Sequence, residues 1–322
     1  MWYAKIYFSE GREIFQYDSL GMQGVPDVQR ELPFLESLLS FQELDCAEVT
    51  PVLQCIAEDW SRFIAEDDRG ALESAMKKLG ELASVHIYFQ LLYVHCYYRQ
   101  TAMFIQNDRG SAEDAQMLDE LRQLPEQLPR YQQQIQRFFE LVLDVDSAGR
   151  APQAQAARNY TYDMPKDPGL FCFHPIPLSF EPVEPGQCSP VLYSSSIRDM
   201  IDYSLRSCVE RNITVRCCKN CGRWFPQTGR VSAEYCERPV PKGQQRCRDI
   251  GALKQWTLRQ AGNDAFKAYR KEYKRRFAWI KAGRITDQQF YDWSERARTE
   301  KDKCEQGLIS QKELETWLKE SK

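Results

Sequence analysis

The chain has 322 residues and a formal net charge of −3, with 43% hydrophobic and 28% charged residues, which is typical of a soluble globular protein of about two domains. Its longest apolar stretch, residues 84–98, is interrupted by polar side chains and is too short to cross a bilayer. The first residues lack the basic, apolar and small-residue regions of a signal peptide. We therefore expect a cytoplasmic protein without a membrane partner, in which clustered cysteines bind metal or do redox chemistry rather than form disulfides.

Residues 1–150 are predicted to form an acidic helical domain. Residues 1–15 indicate a short strand or hairpin, and residues from about 30 to 146 indicate a helical bundle. Thr50 followed by Pro51 is typical of a helix start, with the threonine as the N-cap. Residues 71–105 are long and mostly apolar, so we expect one central helix there.

Residues 151–193 interrupt this pattern. Seven of the 16 prolines lie between Pro165 and Pro190, and aromatic residues alternate with them. We expect an extended segment packed on the bundle, with short strands rather than a flexible linker. The third segment, residues 194–262, is predicted to begin with a helix capped by Ser196, whose apolar stripe runs from Ile197 to Cys208.

Five of the 12 cysteines lie within residues 216–252. Cys218 and Cys221 form a C-x-x-C knuckle in which backbone N–H groups can point at the sulfurs, and Gly222 follows where such a turn often needs a positive φ. Cys217 is an alternative first ligand at C-x-x-x-C spacing. We prefer Cys218 because two-residue spacing followed by glycine is the common knuckle, so that Cys217 would point away along a strand.

The second pair is Cys236 and Cys247, separated by ten Pro- and charge-rich residues that can loop out. Cys247 begins a predicted helix, whose positive end favours a thiolate. The order of knuckle, hairpin, loop and helix is that of a treble-clef zinc module. We therefore predict a structural Zn²⁺ bound by Cys218, Cys221, Cys236 and Cys247. Buried free cysteines and a redox C-x-x-C are the alternatives, although no thioredoxin-like βαβ pattern surrounds the motif.

Charge is unevenly distributed along the chain. Residues 211–284 contain 19 lysines and arginines and 5 acidic residues, a formal charge of +14 that leaves −17 for the rest. Such a segment predicts binding to DNA or RNA through its phosphates, or docking on an acidic protein surface, including this chain's own acidic half; a merely solvated face is a further alternative. The candidate nucleic-acid contacts are Arg246, Arg248, Lys254, Arg259, Lys267, Arg270, Lys271 and Lys274.

Residues 263–322 are predicted to contain a basic amphipathic helix followed by short C-terminal helices. The basic helix carries an aromatic stripe opposite its lysines and arginines, and Phe277 belongs to that stripe. Two later helices are expected to start with capping boxes, one that pairs Thr286 with Gln289 and one that pairs Ser310 with Glu313.

The cysteine region and the basic helix resemble an uncharacterised family of bacterial proteins over roughly residues 195–320. More distantly, they resemble the CGNR-type zinc fingers of bacterial transcription regulators, which also follow a helical N-terminal domain. In this chain Cys247 is followed by Arg-Asp rather than Gly-Asn-Arg, and its distance from the preceding cysteine is longer. The resemblance implies the same four cysteine ligands and no established activity.

The sequence shows no catalytic constellation, so we expect no enzyme. It contains three histidines and neither a nucleotide-binding loop nor a serine-hydrolase motif. His86 and His95 are expected on opposite faces of one helix, and His174 has no readable partner. No histidine follows the cysteine knuckle, which argues against an HNH-type nuclease. An enzyme in the helical half is the weakest of our hypotheses.

These patterns together predict a mainly α protein. It has an N-terminal helical bundle with a short β element, a small treble-clef-like zinc module and C-terminal helices. We predict that the zinc module binds DNA or RNA, as in a bacterial regulator. The alternative is a protein-interaction scaffold in which zinc is structural and the basic segment docks on an acidic surface.

Overall fold

A computed structural model describes residues 4–20, 27–106, 109–146, 149–167, 169–229, 232–240 and 245–321. The chain divides into two compact units. The first unit comprises Met1–Cys217 and Arg223–Ala233, and the second comprises Cys218–Gly222 and Glu234–Lys322. No helix among the described residues has the length and apolar character that a membrane span requires.

A five-stranded antiparallel sheet lies in the first unit. Its strands are β1 (Ala4–Ser9), β2 (Arg12–Tyr17), β3 (Val28–Pro33), β4 (Leu178–Glu184) and β5 (Gln187–Leu192). Their order is β3-β2-β1-β5-β4, so the N-terminal hairpin and the Pro-rich segment share one sheet through the pairing of β1 with β5. Both predicted β elements are confirmed. Strand β3 was not expected, because its residues from Arg30 onward lie in the stretch predicted as helical.

Seven α-helices are described in the first unit. They are α1 (Glu36–Gln42), α2 (Cys46–Glu66), α3 (Arg69–Val85), α4 (Ile87–Gln106), α5 (Ala112–Phe138), α6 (Pro152–Arg158) and α7 (Ile197–Glu210). The predicted helical bundle is therefore confirmed. The predicted start of α2 at Thr50 is wrong, because the side chain of Asp45 accepts a hydrogen bond from the Ala47 N–H and caps the helix earlier. Pro51 lies inside α2.

The predicted central helix over residues 71–105 is two helices, separated at His86. This residue has extended backbone angles (φ −150°, ψ 145°) and ends α3. Its Nδ1 accepts a hydrogen bond from the Tyr88 N–H at 3.1 Å, and its Nε2 lies 3.0 Å from the Ser37 carbonyl oxygen. Burial lowers the pKa of His86 to about 4, so the ring is neutral near pH 7. His86 and His95 therefore do not share a helix, and each is separately placed in the bundle.

The core of the first unit joins the sheet to α1–α5 and α7. It contains large side chains that are almost fully buried, including Phe8, Phe15, Trp60 and Phe89. The α7 stripe that we predicted from Ile197 to Cys208 packs into this core. The structure therefore groups α7 with the first unit, whereas we predicted it with the cysteine module in residues 194–262. Burial explains the difference, because each buried aliphatic side chain contributes about 1.5–3 kcal/mol.

Four helices are described in the second unit. They are α8 (Cys247–Ala261), α9 (Asp264–Lys281), α10 (Asp287–Glu305) and α11 (Gln311–Glu320). Both predicted capping boxes are present, at the starts of α10 and α11. Helix α10 is 19 residues long, so it is not the short helix that we expected. A separate core joins α9, α10 and α11, with Tyr269, Phe290, Trp293 and Leu314 at its centre.

Candidate metal centre and basic face

The cysteine knuckle lies in the chain between two short strands. Strands β6 (Val215–Cys217) and β7 (Trp224–Pro226) pair antiparallel on either side of it. Gly222 has a φ of +71°, the left-handed conformation that glycine adopts without strain. Its N–H donates to the Cys218 carbonyl at 2.8 Å and closes the turn. After β7 the described residues contain an isolated antiparallel bridge between Pro239 and Arg246 but no further named strand, so the treble-clef arrangement stays a prediction.

The structure brings together the four cysteines that we predicted as ligands. The Sγ atoms of Cys218, Cys221, Cys236 and Cys247 all lie within 4.8 Å of one another, and those of Cys221 and Cys236 are 3.7 Å apart. Three of these cysteines are buried and Cys221 is half-buried. Cys217 is exposed in β6 and is not part of the group. We call these four residues the cysteine cluster, and its sulfur atoms could hold a metal ion.

Two contacts orient the sulfur atoms in the cysteine cluster. The Asn220 side chain donates from Nδ2 to the Cys247 Sγ at 3.2 Å, and the Cys236 N–H donates to the Cys218 Sγ at 3.4 Å. Such bonds to ligand sulfurs fix their orientation and tune a bound metal. We did not predict Asn220 from the sequence, although its position inside the knuckle was a usable signal.

The chain segments that carry Cys236 and Cys247 pack closely against each other at Gly251. The Tyr235 ring lies so close to Gly251 of α8 that a Cβ at Gly251 would be 2.2 Å from the ring. The Arg248 N–H also donates to the Cys236 carbonyl at 3.1 Å. The glycine is therefore required by packing, because any side chain there would push the Cys236 segment away from α8.

Burial controls the ionisation of the cysteine cluster. It raises the pKa of the Cys236 thiol, and hydrogen bonds with the neighbouring thiols raise it further, against a backbone bond at Arg238 that lowers it. Burial also raises the pKa of the Cys247 thiol. Desolvation therefore opposes the thiolate form that the helix start is expected to favour at Cys247. A bound metal ion would take the thiols as thiolates and release protons.

The predicted basic contacts near the cysteine cluster already have acidic partners. Arg246 Nη1 lies 3.2 Å from Glu237, and Arg248 contacts the same carboxylate. The side chains of Lys254 and Arg259 lie outside the described residues. Two further arginines of the +14 segment are paired within the first unit, Arg216 with Asp146 at 2.9 Å and Arg223 with Glu43 at 2.9 Å.

Helix α9 behaves differently. Lys267 is paired with Asp264 at 2.9 Å, whereas the described part of the chain places no ion-pair partner beside the other predicted contacts on this helix. Arg270, Lys271, Lys274 and Lys281 are exposed, and none has a carboxylate within 4 Å among the described residues. We call these four residues the α9 cation face.

The aromatic residues of β7, α8 and α9 differ in their exposure. Phe277 is 47% exposed, although we placed it on the side of α9 opposite the cations. Trp224 belongs to the first unit, where it packs edge-on against Phe139 and donates to Gln136 at 2.9 Å. Trp256 on α8 is 44% exposed and meets Phe266 edge-on.

His174 has partners that we did not predict. Its Nε2 lies 2.8 Å from Asp199 and its Nδ1 lies 3.1 Å from Asp202, which is fully buried and also bound by Arg206. Asp199, Asp202 and Arg206 share one face of α7, because they are spaced i, i+3 and i+7. This spacing of charged residues was the sequence signal that could have indicated the group. A cleft of about 280 Å³ beside this group is lined by α5 and the start of α7. The group joins the segment that contains His174 to α7 within the first unit.

Residues 189–321 match a family of unknown function, DUF6076. The match covers α7, the cysteine cluster and the C-terminal helices, which is close to the region where we expected a likeness to an uncharacterised family. The family's description names no zinc finger, so the more distant likeness to CGNR-type proteins gains no support. No curated protein and no solved structure matches the chain.

Proposed function

We propose that the second unit is a zinc-stabilised module that binds DNA or RNA through the α9 cation face, as a bacterial regulator does. The observation that supports this proposal is the set of four exposed cations without an acidic partner among the described residues. They lie on the helix that follows α8, the helix that begins with Cys247. Cations that no carboxylate of the same chain neutralises are available to bind phosphates.

The spacing of the cysteine cluster supports zinc as the metal. Thiolate sulfurs in a zinc tetrahedron lie about 2.3 Å from the ion, which separates any two of them by about 3.8 Å. The Cys221 and Cys236 sulfurs are 3.7 Å apart. Four thiolates fill the tetrahedron and leave no position for a substrate, so the proposed zinc is structural and we propose no catalytic role for it.

The geometry of α9 supports phosphate binding without sequence readout. Arg270, Lys274 and Lys281 share one face of the helix, because they are spaced four and seven residues apart. This row is about 16 Å long at 1.5 Å per residue. Each strand of a duplex presents a phosphate about every 3.4 Å along the helix axis, so a row of this length spans about five phosphates. Contacts of this kind give affinity and position but no base specificity.

An interaction scaffold is the second candidate, and a specific observation favours it. Arg216 and Arg223 are bound to carboxylates of the acidic first unit, and Arg246 and Arg248 are bound to Glu237. The basic segment therefore already pairs with carboxylates in this chain. An acidic partner protein could meet the α9 cation face in the same manner.

Fluorescence anisotropy with the full-length chain separates the two candidates. Labelled 20-mer DNA and RNA and labelled polyglutamate of equal charge would be titrated between 50 and roughly 200 mM salt, where phosphate binding weakens steeply. Tighter binding to nucleic acid than to polyglutamate is the expected result. Binding to polyglutamate with none to nucleic acid at low salt would reject the first candidate and leave the scaffold. Zinc content per chain, measured in the same preparation, tests the metal separately.

A further inference from the structure

We infer that the α9 cation face, if the proposed function holds, takes single-stranded rather than duplex nucleic acid, with Phe277 as the surface on which a base stacks. Phe277 follows Lys274 by three residues and precedes Lys281 by four, so it lies within the row of cations. It is 47% exposed. Isolated exposed apolar residues are common, so the proposed role of Phe277 rests on its neighbours.

The Phe277 ring is held in place from one side. It lies parallel to the ring of Tyr273, with 4° between the planes and 6.5 Å between the centroids. The buried Phe290 meets it edge-on at 5.6 Å. Tyr291, which is 63% exposed, also contacts Phe290. Phe277 is therefore ordered before any ligand arrives, and a ring that is already ordered loses little entropy on binding.

Base stacking decides between a single strand and a duplex. In a duplex each base is covered by its neighbours and presents only its edges in the grooves. A single strand leaves base faces free, and aromatic side chains between backbone-binding cations are the usual means of binding it. Lysines and arginines bind the phosphates of either form. Phe277 therefore adds affinity for a single strand and almost none for a duplex.

The arrangement does not suit an acidic protein equally well. Carboxylates would pair with Arg270, Lys274 and Lys281, but a carboxylate gains nothing from the face of an exposed phenyl ring between them. Charge complementarity together with an ordered aromatic ring is what single-stranded nucleic acid requires.

The test compares Phe277→Leu with the wild-type full-length chain. The probes are fluorescein-labelled dT20, rU20 and a 20-base-pair duplex, which differ in sugar and in strandedness, and the readout is anisotropy at one salt concentration and over a salt series. Wild type should bind a single strand about tenfold more tightly than the duplex, and Phe277→Leu should remove most of that difference. The duplex affinity and both salt slopes should stay unchanged, because no cation is altered. Tyr291→Leu should act in the same direction with a smaller effect.

The matched control is Phe180→Leu. It makes the same substitution at a phenylalanine that is 73% exposed on β4 of the first unit, outside the α9 cation face. It should bind all three probes as wild type does. Far-ultraviolet circular dichroism confirms that each variant is folded. If Phe277→Leu binds the single strands like wild type, or if wild type prefers the duplex, this inference is wrong while salt-dependent binding still supports the proposed function. Absence of binding to every probe would reject both.

Discussion

Both units bury paired charges, since Arg276 is bound to the buried Glu272 in the second unit, but α9 also exposes cations that stay without a carboxylate partner among the described residues. The first unit buries charged groups and pairs them. Arg99 is bound to both Glu113 and Asp114, and the buried Asp202 is bound to Arg206. The second unit leaves a row of cations on α9 exposed and without acidic partners among the described residues. Buried charge is expensive unless it is satisfied, so it marks structure. Exposed cations cost the fold little, which makes the α9 cation face the better indicator of a partner.

The largest expected effect separates the metal site from its exposed neighbour. Cys221→Ser should remove zinc and unfold the cysteine module, because a structural zinc contributes on the order of 10 kcal/mol to folding. Cys217→Ser should keep one zinc per chain, since Cys217 is exposed and outside the cysteine cluster. Metal analysis of both purified variants measures this. Equal zinc loss in the two would show that the ligand assignment is wrong.

The second effect concerns a buried ion pair of the first unit. Arg99→Met should lower the free energy of unfolding by about 3–5 kcal/mol, because Asp114 stays buried without its cation. Urea denaturation followed by circular dichroism measures the change.

Arg12→Met provides the control for that experiment, since it removes an exposed partner of Glu31. Surface pairs contribute little, so its midpoint should move much less than that of Arg99→Met. Similar shifts for the two variants would contradict the distinction between buried and exposed charge.

The third effect depends on pH. Burial raises the pKa of Glu13 from 4.5 to about 7. Between these values the unfolded chain ionises Glu13 while the folded chain keeps it protonated, so the free energy of unfolding falls as pH rises through this window, by about 3 kcal/mol. Glu13→Gln should remove this contribution.

Urea midpoints at several pH values between 4.5 and 7 test the prediction about Glu13. Other groups, including His86, titrate alike in both proteins, so the difference between wild type and Glu13→Gln isolates this carboxyl group. Parallel pH profiles for the two proteins would count against it.

The smallest effect concerns two pairs of cations within the basic segment, one pair exposed on α9 and one pair bound to Glu237. Lys271→Gln with Lys274→Gln should weaken nucleic-acid binding about tenfold and reduce the salt slope by about 2, one for each lost phosphate contact. Arg246→Gln with Arg248→Gln should change binding less, because both arginines already contact Glu237. Anisotropy measures the affinity of each variant. A larger loss of affinity in the arginine variant would show that nucleic acid binds beside the cysteine cluster and not on the α9 cation face.

Local chemistry made several features predictable. The two-residue spacing and the glycine after it identified Cys218, Cys221 and the positive φ of Gly222. The spacing of three residues identified both capping boxes. These features depend on residues that are close in the chain, so their geometry follows from backbone rules that the sequence states directly.

Sequence alone determined the mainly helical character, the two β elements, the cysteine knuckle and the excess of positive charge in residues 211–284. Only the tertiary structure decided that α7 belongs to the first unit, that His86 separates two helices, and which cations keep acidic partners. Arg216 and Asp146 are 70 residues apart, so no local pattern links them. Whether a charge is neutralised or a ring exposed depends on what the rest of the chain places beside it, and that is settled by packing.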